Sequence, residues 1–376
     1  MELIKKIERG YRQVRSYLQP SHYKSAAKAR SLATPPPTNQ PICLFDFHSI
    51  KIDNVMGRYL HHLITEFETC GYHIAFTNNY RFLATIESKA FKRLIFKRPF
   101  SILHLNDAPD NCNLLITDND KNPDRAFDKT INIDYRQMRA PEGDKNSIEL
   151  PFFVHPEIHD SQQIAKFHKT TQKQSRSLRI LFAGNARAPK YDSPILEKTY
   201  GVMSRVKVLD TVKKSLSEEQ LRIPTSTKEI IPESYSKTLT IATTQDCPIP
   251  SDEWISTLSR ADFYLACPGV GMPLCHNLIE ALAAGSIPIL QYPQYLDPPL
   301  TDGENCLVFS SQDELHSAIN RALTMDTEEI TQLQTSALVY YQNHLQPGAF
   351  AKKLTTTATP LIHLYVNAYR IAKALT

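Results

Sequence analysis

Residues 263–309 read FYLACPGVGMPLCHNLIEALAAGSIPILQYPQYLDPPLTDGENCLVF, and their pattern decides the fold class. The apolar run 263–266 predicts a short buried strand, and Pro268, Gly269 and Gly271 predict a tight bend. A helix is predicted over 276–284, stopped by Gly285, and a second buried strand over 287–290. Strand, glycine-rich bend, helix and strand make the repeating unit of an α/β protein. The first turn of such a helix has N–H groups without intrahelical partners and carries the positive end of the summed peptide dipoles. Glycines before it let a ligand approach the backbone, which is how such bends hold phosphates. A plain surface turn would read the same way in isolation, so the surrounding chain has to decide.

Upstream, LRILFAGN (178–185) has the pattern of a buried strand running straight into Gly184 and Asn185. Arg187 and Lys190 follow closely. If that strand is parallel and central, its carboxyl end opens into the crevice where α/β proteins bind ligands, and the two cations are placed to neutralise a diphosphate. A strand over 237–244 and helices over 251–261, 311–323 and 326–343 complete an α/β domain spanning 178–345.

A first domain, 41–155, opens with ICLFDF (42–47), a polar loop, a helix over 55–70 ended by Gly71, and the strand HIAFT (73–77). Strand, helix, strand at this spacing is a right-handed βαβ crossover. Further strands are predicted over 101–105, 113–117, 130–134 and 148–153. The basic segment 87–100, with Lys89, Lys92, Arg93, Lys97 and Arg98, reads either as a solvated helix face or as a docking surface for acidic lipid headgroups or an anionic acceptor.

The remainder is extension and linker. Residues 1–40 form a basic extension, with eight Lys and Arg against two Glu. It holds an amphipathic helix over 1–18 and a proline-rich linker over 31–41. Residues 156–177 read as an interdomain linker, and 346–376 as a C-terminal helical segment.

At 376 residues the chain suits two domains. Hydrophobic residues at 41% and charged residues at 22% are ordinary for a globular protein. With 43 basic against 39 acidic residues the balance of +4 gives no reason to expect a nucleic-acid partner. No apolar run approaches the roughly 20 residues of a membrane span, and the N-terminus lacks the apolar core of a secretory signal. A cytoplasmic location is therefore expected, and the basic N-terminal helix reads either as packed on the domain or as a peripheral contact at the inner face of the membrane. Seven scattered cysteines read as reduced core residues. Cys267, Cys275 and His276 lack the further ligand a structural metal needs, so no metal site is expected.

The pair IEALAAGSIPIL and DGENCLVF resembles the nucleotide-sugar half of GT-B glycosyltransferases, where LEAMACGTPVI-type and DGxNGLLV-type segments line the donor site. The matching residues are Glu280, Ala281, Gly285, Pro288, Ile289, Asp302, Gly303, Asn305, Leu307 and Phe309. The wording CPGVGMPLCHNLIEALAAGSIPIL is also similar to exostosin-like and capsule or cell-wall glycosyltransferases. The resemblance implies two Rossmann-like domains facing each other across a cleft, a nucleotide-sugar donor as substrate with no cofactor, and a glycan or lipid-linked acceptor. It implies a donor site built from Gly184, Asn185, Arg187, Lys190, Pro268, Gly269, Gly271, His276, Asn277 and Glu280, with Glu280 accepting hydrogen bonds from the ribose hydroxyls.

One departure has mechanistic weight. Retaining members with an E-x7-E motif carry an acid eight positions before the one matched by Glu280, and that position here is Met272. An inverting enzyme instead needs a base for the acceptor hydroxyl; the loop after the first strand offers Asp46 or His48 ahead of Asp53, with His61 and His62 in the following helix and Asp107, Asp118 and His155 near other strand ends. Two other readings stay open at this point: a nucleotide-sugar epimerase on the same double fold, and a non-catalytic glycosyltransferase-like subunit that binds glycan.

Overall fold

The computed structural model describes residues 19–49, 51–119, 125–135, 140–141, 143–169 and 176–366. The helix expected over 1–18 lies outside them. Two compact units make up the chain: one runs to Leu150 and takes in the segment from Pro347, and the other spans Pro151–Gln346.

The first unit is built on a sheet of seven strands: β1 (Ile42–Asp46), β2 (His73–Thr77), β3 (Ser101–Leu103), β4 (Leu114–Thr117), β5 (Lys129–Asp134), β6 (Ser147–Glu149) and, from the far end of the chain, Leu361–Tyr365. The second unit has six: β7 (Leu178–Gly184), β8 (Leu221–Arg222), β9 (Ser236–Thr243), β10 (Ala261–Leu265), β11 (Ile287–Leu290) and β12 (Leu307–Val308). With Leu361–Tyr365 numbered β13, the spatial orders are β3-β2-β1-β4-β5-β13-β6 and β12-β11-β10-β7-β9-β8. The strand pairings of both sheets are parallel. Both units are therefore doubly wound α/β folds.

Apolar runs explain the central strands. β1, β2 and β10 are buried along their whole length, as expected for parallel strands covered on both faces. In the second unit Ile180, Phe182, Ile241, Phe263, Leu265, Ile287 and Ile289 pack against Val208, Leu209 and Val212 of helix Arg205–Ser215 and Leu315 and Ile319 of helix Gln312–Thr324. Each such side chain taken fully from water contributes about 1.5–3 kcal/mol. In the first unit Phe45 and Phe76 meet at 5.7 Å between ring centroids, and Phe76 stacks on Phe82 at 5.0 Å.

Each sheet reverses its winding direction beside its first strand, at β1/β4 in one unit and β7/β10 in the other. The crevice outside the carboxyl ends of the strands at such a switch point is the usual ligand site of an open α/β sheet.

Three expectations are corrected. Residues 346–376 are not simply helical: helix Ala349–Thr356 is followed by β13, which slots between β5 and β6 with Ile362 opposite Ile131 and Leu364 opposite both Ile133 and Ile148. The rest, 367–376, lies outside the described residues. Residues 156–177, expected as linker, contain helices Pro156–Asp160 and Gln163–Lys169 of the second unit, with 170–175 outside the described residues. The basic segment 87–100 is no amphipathic α-helix but holds a 3-10 helix, Lys92–Lys97, and two of its cations turn inward. Lys92 is buried against Asp53 at 2.7 Å, and Arg98 pairs with Glu68 at 2.5 Å. Among the described residues no helix is long and apolar enough to cross a membrane.

Candidate functional site

In the first unit, the carboxyl ends of β1, β2 and β4 converge on Asp46. It is the last residue of β1, lies opposite Thr117 of β4, and its carboxylate is buried. Thr77 donates its hydroxyl to Asp46 Oδ1 at 2.7 Å and Thr117 donates to Oδ2 at 3.2 Å. His48 Nε2 lies 3.0 and 3.1 Å from the two oxygens. A carboxylate ion can only accept, so Nε2 is the donor, and in the neutral imidazole the lone pair falls on Nδ1. The His48 side chain is 48% exposed, so that lone pair belongs to a ring a substrate can reach.

The His48 backbone is fixed as well. Asp118, just beyond β4, accepts the His48 N–H at 2.6 Å and the Ser49 N–H at 3.1 Å, and Arg81 Nη1 donates to the His48 carbonyl at 3.5 Å. Burial pushes Asp118 upward from the usual carboxylate range, while the two amide bonds pull it back. The two candidate bases of the sequence thus form one hydrogen-bonded pair: an exposed imidazole whose tautomer a buried carboxylate sets. Asp53 is set aside by the same geometry, because Lys92 Nζ at 2.7 Å and Thr85 Oγ1 at 2.8 Å occupy its carboxylate in the core.

In the second unit, Gly184 ends β7 with φ +147°, and a Cβ there would lie 3.1 Å from Asn277 Nδ2. Asn277, in the first turn of helix His276–Ala283, donates to the Ala183 carbonyl and to the Tyr264 hydroxyl, both at 3.1 Å. The helix start is therefore tied directly to the ends of β7 and β10. Within the bend, Gly269 N–H closes onto the Pro273 carbonyl at 3.0 Å. A Cβ on Gly269 would come to 2.8 Å from the Met272 carbonyl oxygen and 3.1 Å from that of Leu274, so only glycine fits. Pro268 and Gly271 are buried beside it.

Beneath this bend lies a residue the sequence reading missed. Arg205 is buried, with Nε donating to the Pro268 carbonyl at 3.0 Å and Nη1 to the Asn185 carbonyl at 2.8 Å, and its guanidinium sits 4.2 Å from the Tyr191 ring centroid. It joins the loop after β7 to the loop after β10. Ser204 accepts from the Lys207 N–H as helix cap, and nothing nearby in sequence marks Arg205 as a buried cation. Arg187 and Lys190 are exposed, the former at the N-cap of the short helix Ala188–Tyr191 and the latter 5.5 Å over the Tyr191 ring.

Glu280 is buried at the base of its helix. It is 2% exposed, and its two oxygens accept from the His155 backbone N–H at 2.8 Å and the Trp254 indole N–H at 2.6 Å. These two bonds tie its helix to the segments that carry His155 and Trp254. His276 is also a fastener: Nδ1 donates to the Phe153 carbonyl at 2.7 Å, with the Phe152 ring 4.9 Å away. Trp254, the one tryptophan of the chain, was legible only as a core residue.

An open groove of about 860 Å³ runs between helices Arg205–Ser215 and Gln312–Thr324, lined by Lys207, Asp210, Lys214, Asp313 and His316 among others. Its mixed charges and its position on the helix layer set it apart from the strand ends.

No protein-family model matches the chain, and no curated protein matches it. Among solved structures, the chain is similar to an alpha-glucosyltransferase in complex with UDP and a 13-mer DNA, at 11% identity and TM-score 0.43, covering 86% of this chain and 100% of that one. It is similar to a glycosyltransferase from Rickettsia africae at 10% identity and TM-score 0.45, covering 84% and 97%. It is also similar to Anabaena HepE in complex with UDP, at 11% identity and TM-score 0.42, covering 84% and 99%. At these scores and identities the likeness adds nothing to what the strand order of each unit already establishes.

Proposed function

We propose that the chain is a GT-B-type glycosyltransferase that moves a sugar from a nucleotide-sugar donor to a hydroxyl of a glycan or lipid-linked acceptor with inversion. The observation that carries this reading is the Asp46–His48 pair at the strand ends of the first unit: an exposed imidazole with Nδ1 available and Nε2–H held by a buried carboxylate. In the proposed step, His48 Nδ1 takes the acceptor hydroxyl proton as the oxygen attacks the anomeric carbon, and the bond to the nucleoside diphosphate breaks with its electron pair leaving on the phosphate oxygen. Asp46 stabilises the imidazolium that forms. Met272 in place of an acid fits the absence of a retaining motif.

The second unit is read as the donor-binding half. Its bend at Pro268–Gly269, the first-turn amides at His276 and Asn277, and the cations Arg187 and Lys190 suit the diphosphate of a nucleotide sugar. Glu280 and Arg205 are read as residues that hold the bend and the helix start in register. The exposed cations of the first unit are read as a peripheral contact with an anionic membrane carrying the acceptor.

Calorimetric titration with UDP-, GDP-, ADP- and CMP-sugars tests the donor reading. One nucleotide class is expected to bind, and folded protein that binds none of them overturns it. Product analysis without acceptor separates the readings further, since an epimerase would turn the donor over alone.

A further inference from the structure

The turn between the first strand and its helix carries a feature that catalysis does not use. Val55 and Met56 have φ of 53° and 63°, followed by Gly57 at 85°. Left-handed backbone is natural for glycine but costly for a β-branched residue, and it persists only where the surroundings impose it. Here they do. The Phe91 N–H donates to the Met56 carbonyl at 3.0 Å, and Gly57 presses on Lys92, where a Cβ would lie 2.8 Å from the lysine's backbone nitrogen. Lys92 is itself locked by Asp53 and Thr85, both at 2.7 Å.

The result of this bracing is that two consecutive apolar side chains point into solvent, Val55 38% and Met56 52% exposed. Single exposed apolar residues need no explanation, but an adjacent pair held there by a strained turn does. Asp53, Glu68 and Glu87 are ion-paired with Lys92, Arg98 and Lys28, and Asp118 is taken up by the His48 and Ser49 amides. Lys89 and Arg93, which flank Phe91, have no carboxylate partner among the described residues, and Lys51, four residues before Val55, has its ammonium 5.6 Å from the Tyr135 ring centroid with no carboxylate partner among them either.

We propose that Val55 and Met56 form an apolar wedge that seats the first unit on an anionic lipid bilayer, with Lys51, Lys89 and Arg93 meeting the headgroups. An exposed apolar pair with cations without carboxylate partners on the same turn and on the segment hydrogen-bonded to it matches the two terms of interfacial binding, apolar burial and attraction to anionic lipid. The proposal rests on the peripheral-contact reading above and names the residues that make the contact.

The test is sedimentation of the full chain with phosphatidylcholine vesicles, with and without phosphatidylglycerol. Wild type is expected to bind only the anionic vesicles. The double variant Val55→Asn, Met56→Asn removes the apolar groups while supplying residues that tolerate the left-handed conformation, so thermal stability is expected to hold or rise while vesicle partitioning falls about tenfold. Lys89→Glu with Arg93→Glu is expected to weaken binding and flatten its salt dependence. Wild type that fails to bind anionic vesicles overturns both the wedge and the peripheral reading. An Asn variant that binds like wild type overturns the wedge alone and leaves the basic surface standing. Nucleotide-sugar titration of the Asn variant is the control that keeps donor binding separate.

Discussion

The two units present the same architectural crevice with opposite chemistry. At β1/β4 the strand ends carry the titratable side chains of Asp46, His48 and Asp118, with the hydroxyls of Thr77 and Thr117 on the Asp46 carboxylate. At β7/β10 the strand ends carry backbone carbonyls, glycine and a buried guanidinium, and the nearby carboxylate of Glu280 is closed off by the Trp254 indole and the His155 amide. A doubly wound sheet supplies only a place where loops meet. The side chains that end the central strands decide whether that place does acid–base work or holds a ligand.

The largest effect should come from the proton-transfer side. His48→Ala is expected to lower turnover by about 10²–10⁴-fold with donor affinity unchanged in the same calorimetric titration. Asp46→Asn, which keeps shape but removes the charge that sets the tautomer, is expected to lower turnover by about 10²-fold or more. Full activity in His48→Ala would erase the contrast between the crevices.

In the second unit, Arg205→Met leaves the carbonyls of Asn185 and Pro268 without their donor, at a cost of about 1–3 kcal/mol for each. Chemical denaturation should show that loss together with lost donor affinity. Affinity lost at unchanged stability would instead mean that Arg205 meets the ligand directly.

The third test concerns pH, and again separates the units. In the first unit Glu66 Oε2 accepts the N–H groups of Gly348, Phe350 and Ala351, clasping the start of helix Ala349–Thr356. Burial nevertheless raises it from 4.5 to about 7. A carboxyl whose folded value lies above its unfolded one favours the folded state below the unfolded value, and that contribution disappears as pH rises through the folded value. Stability should therefore fall between about pH 4.5 and pH 7, by an amount on the order of 3 kcal/mol. Glu66→Gln retains an acceptor for the amides and should flatten that slope, which melting curves across the interval would show. An unchanged slope would assign the pH dependence elsewhere. In the second unit the strong shifts instead move groups further from neutrality, as with Cys267, pushed up to about 12 by burial.

Much of each sheet was legible because its signals are local. Five-residue apolar runs made β1 and β2 readable, and the glycine after Ala284 marked the end of helix His276–Ala283. β13 was not legible: LIHLY is a short mixed run after a threonine-rich helix, and what makes it a strand is the gap between β5 and β6, more than two hundred residues upstream. The candidate site divides the same way. Gly184, Gly269 and Asn277 could be named from the bend, whereas Arg205 looks in sequence like any helix-surface cation, and the fate of Glu280 depends on an indole and an amide from segments it does not neighbour.

The sequence by itself determined the two α/β halves, the glycine bend that feeds a helix and the loop holding Asp46 and His48, because periodicity, helix stops and residue chemistry act over a few positions. Only the tertiary structure decided that Asp46 and His48 are one pair, that Lys92 and Arg98 are inward while Val55 and Met56 are outward, that Glu280 is a fastener, and that the chain returns to complete its first sheet. Those outcomes depend on which distant groups share a buried space. A buried charge must find its partner there, wherever in the sequence that partner lies.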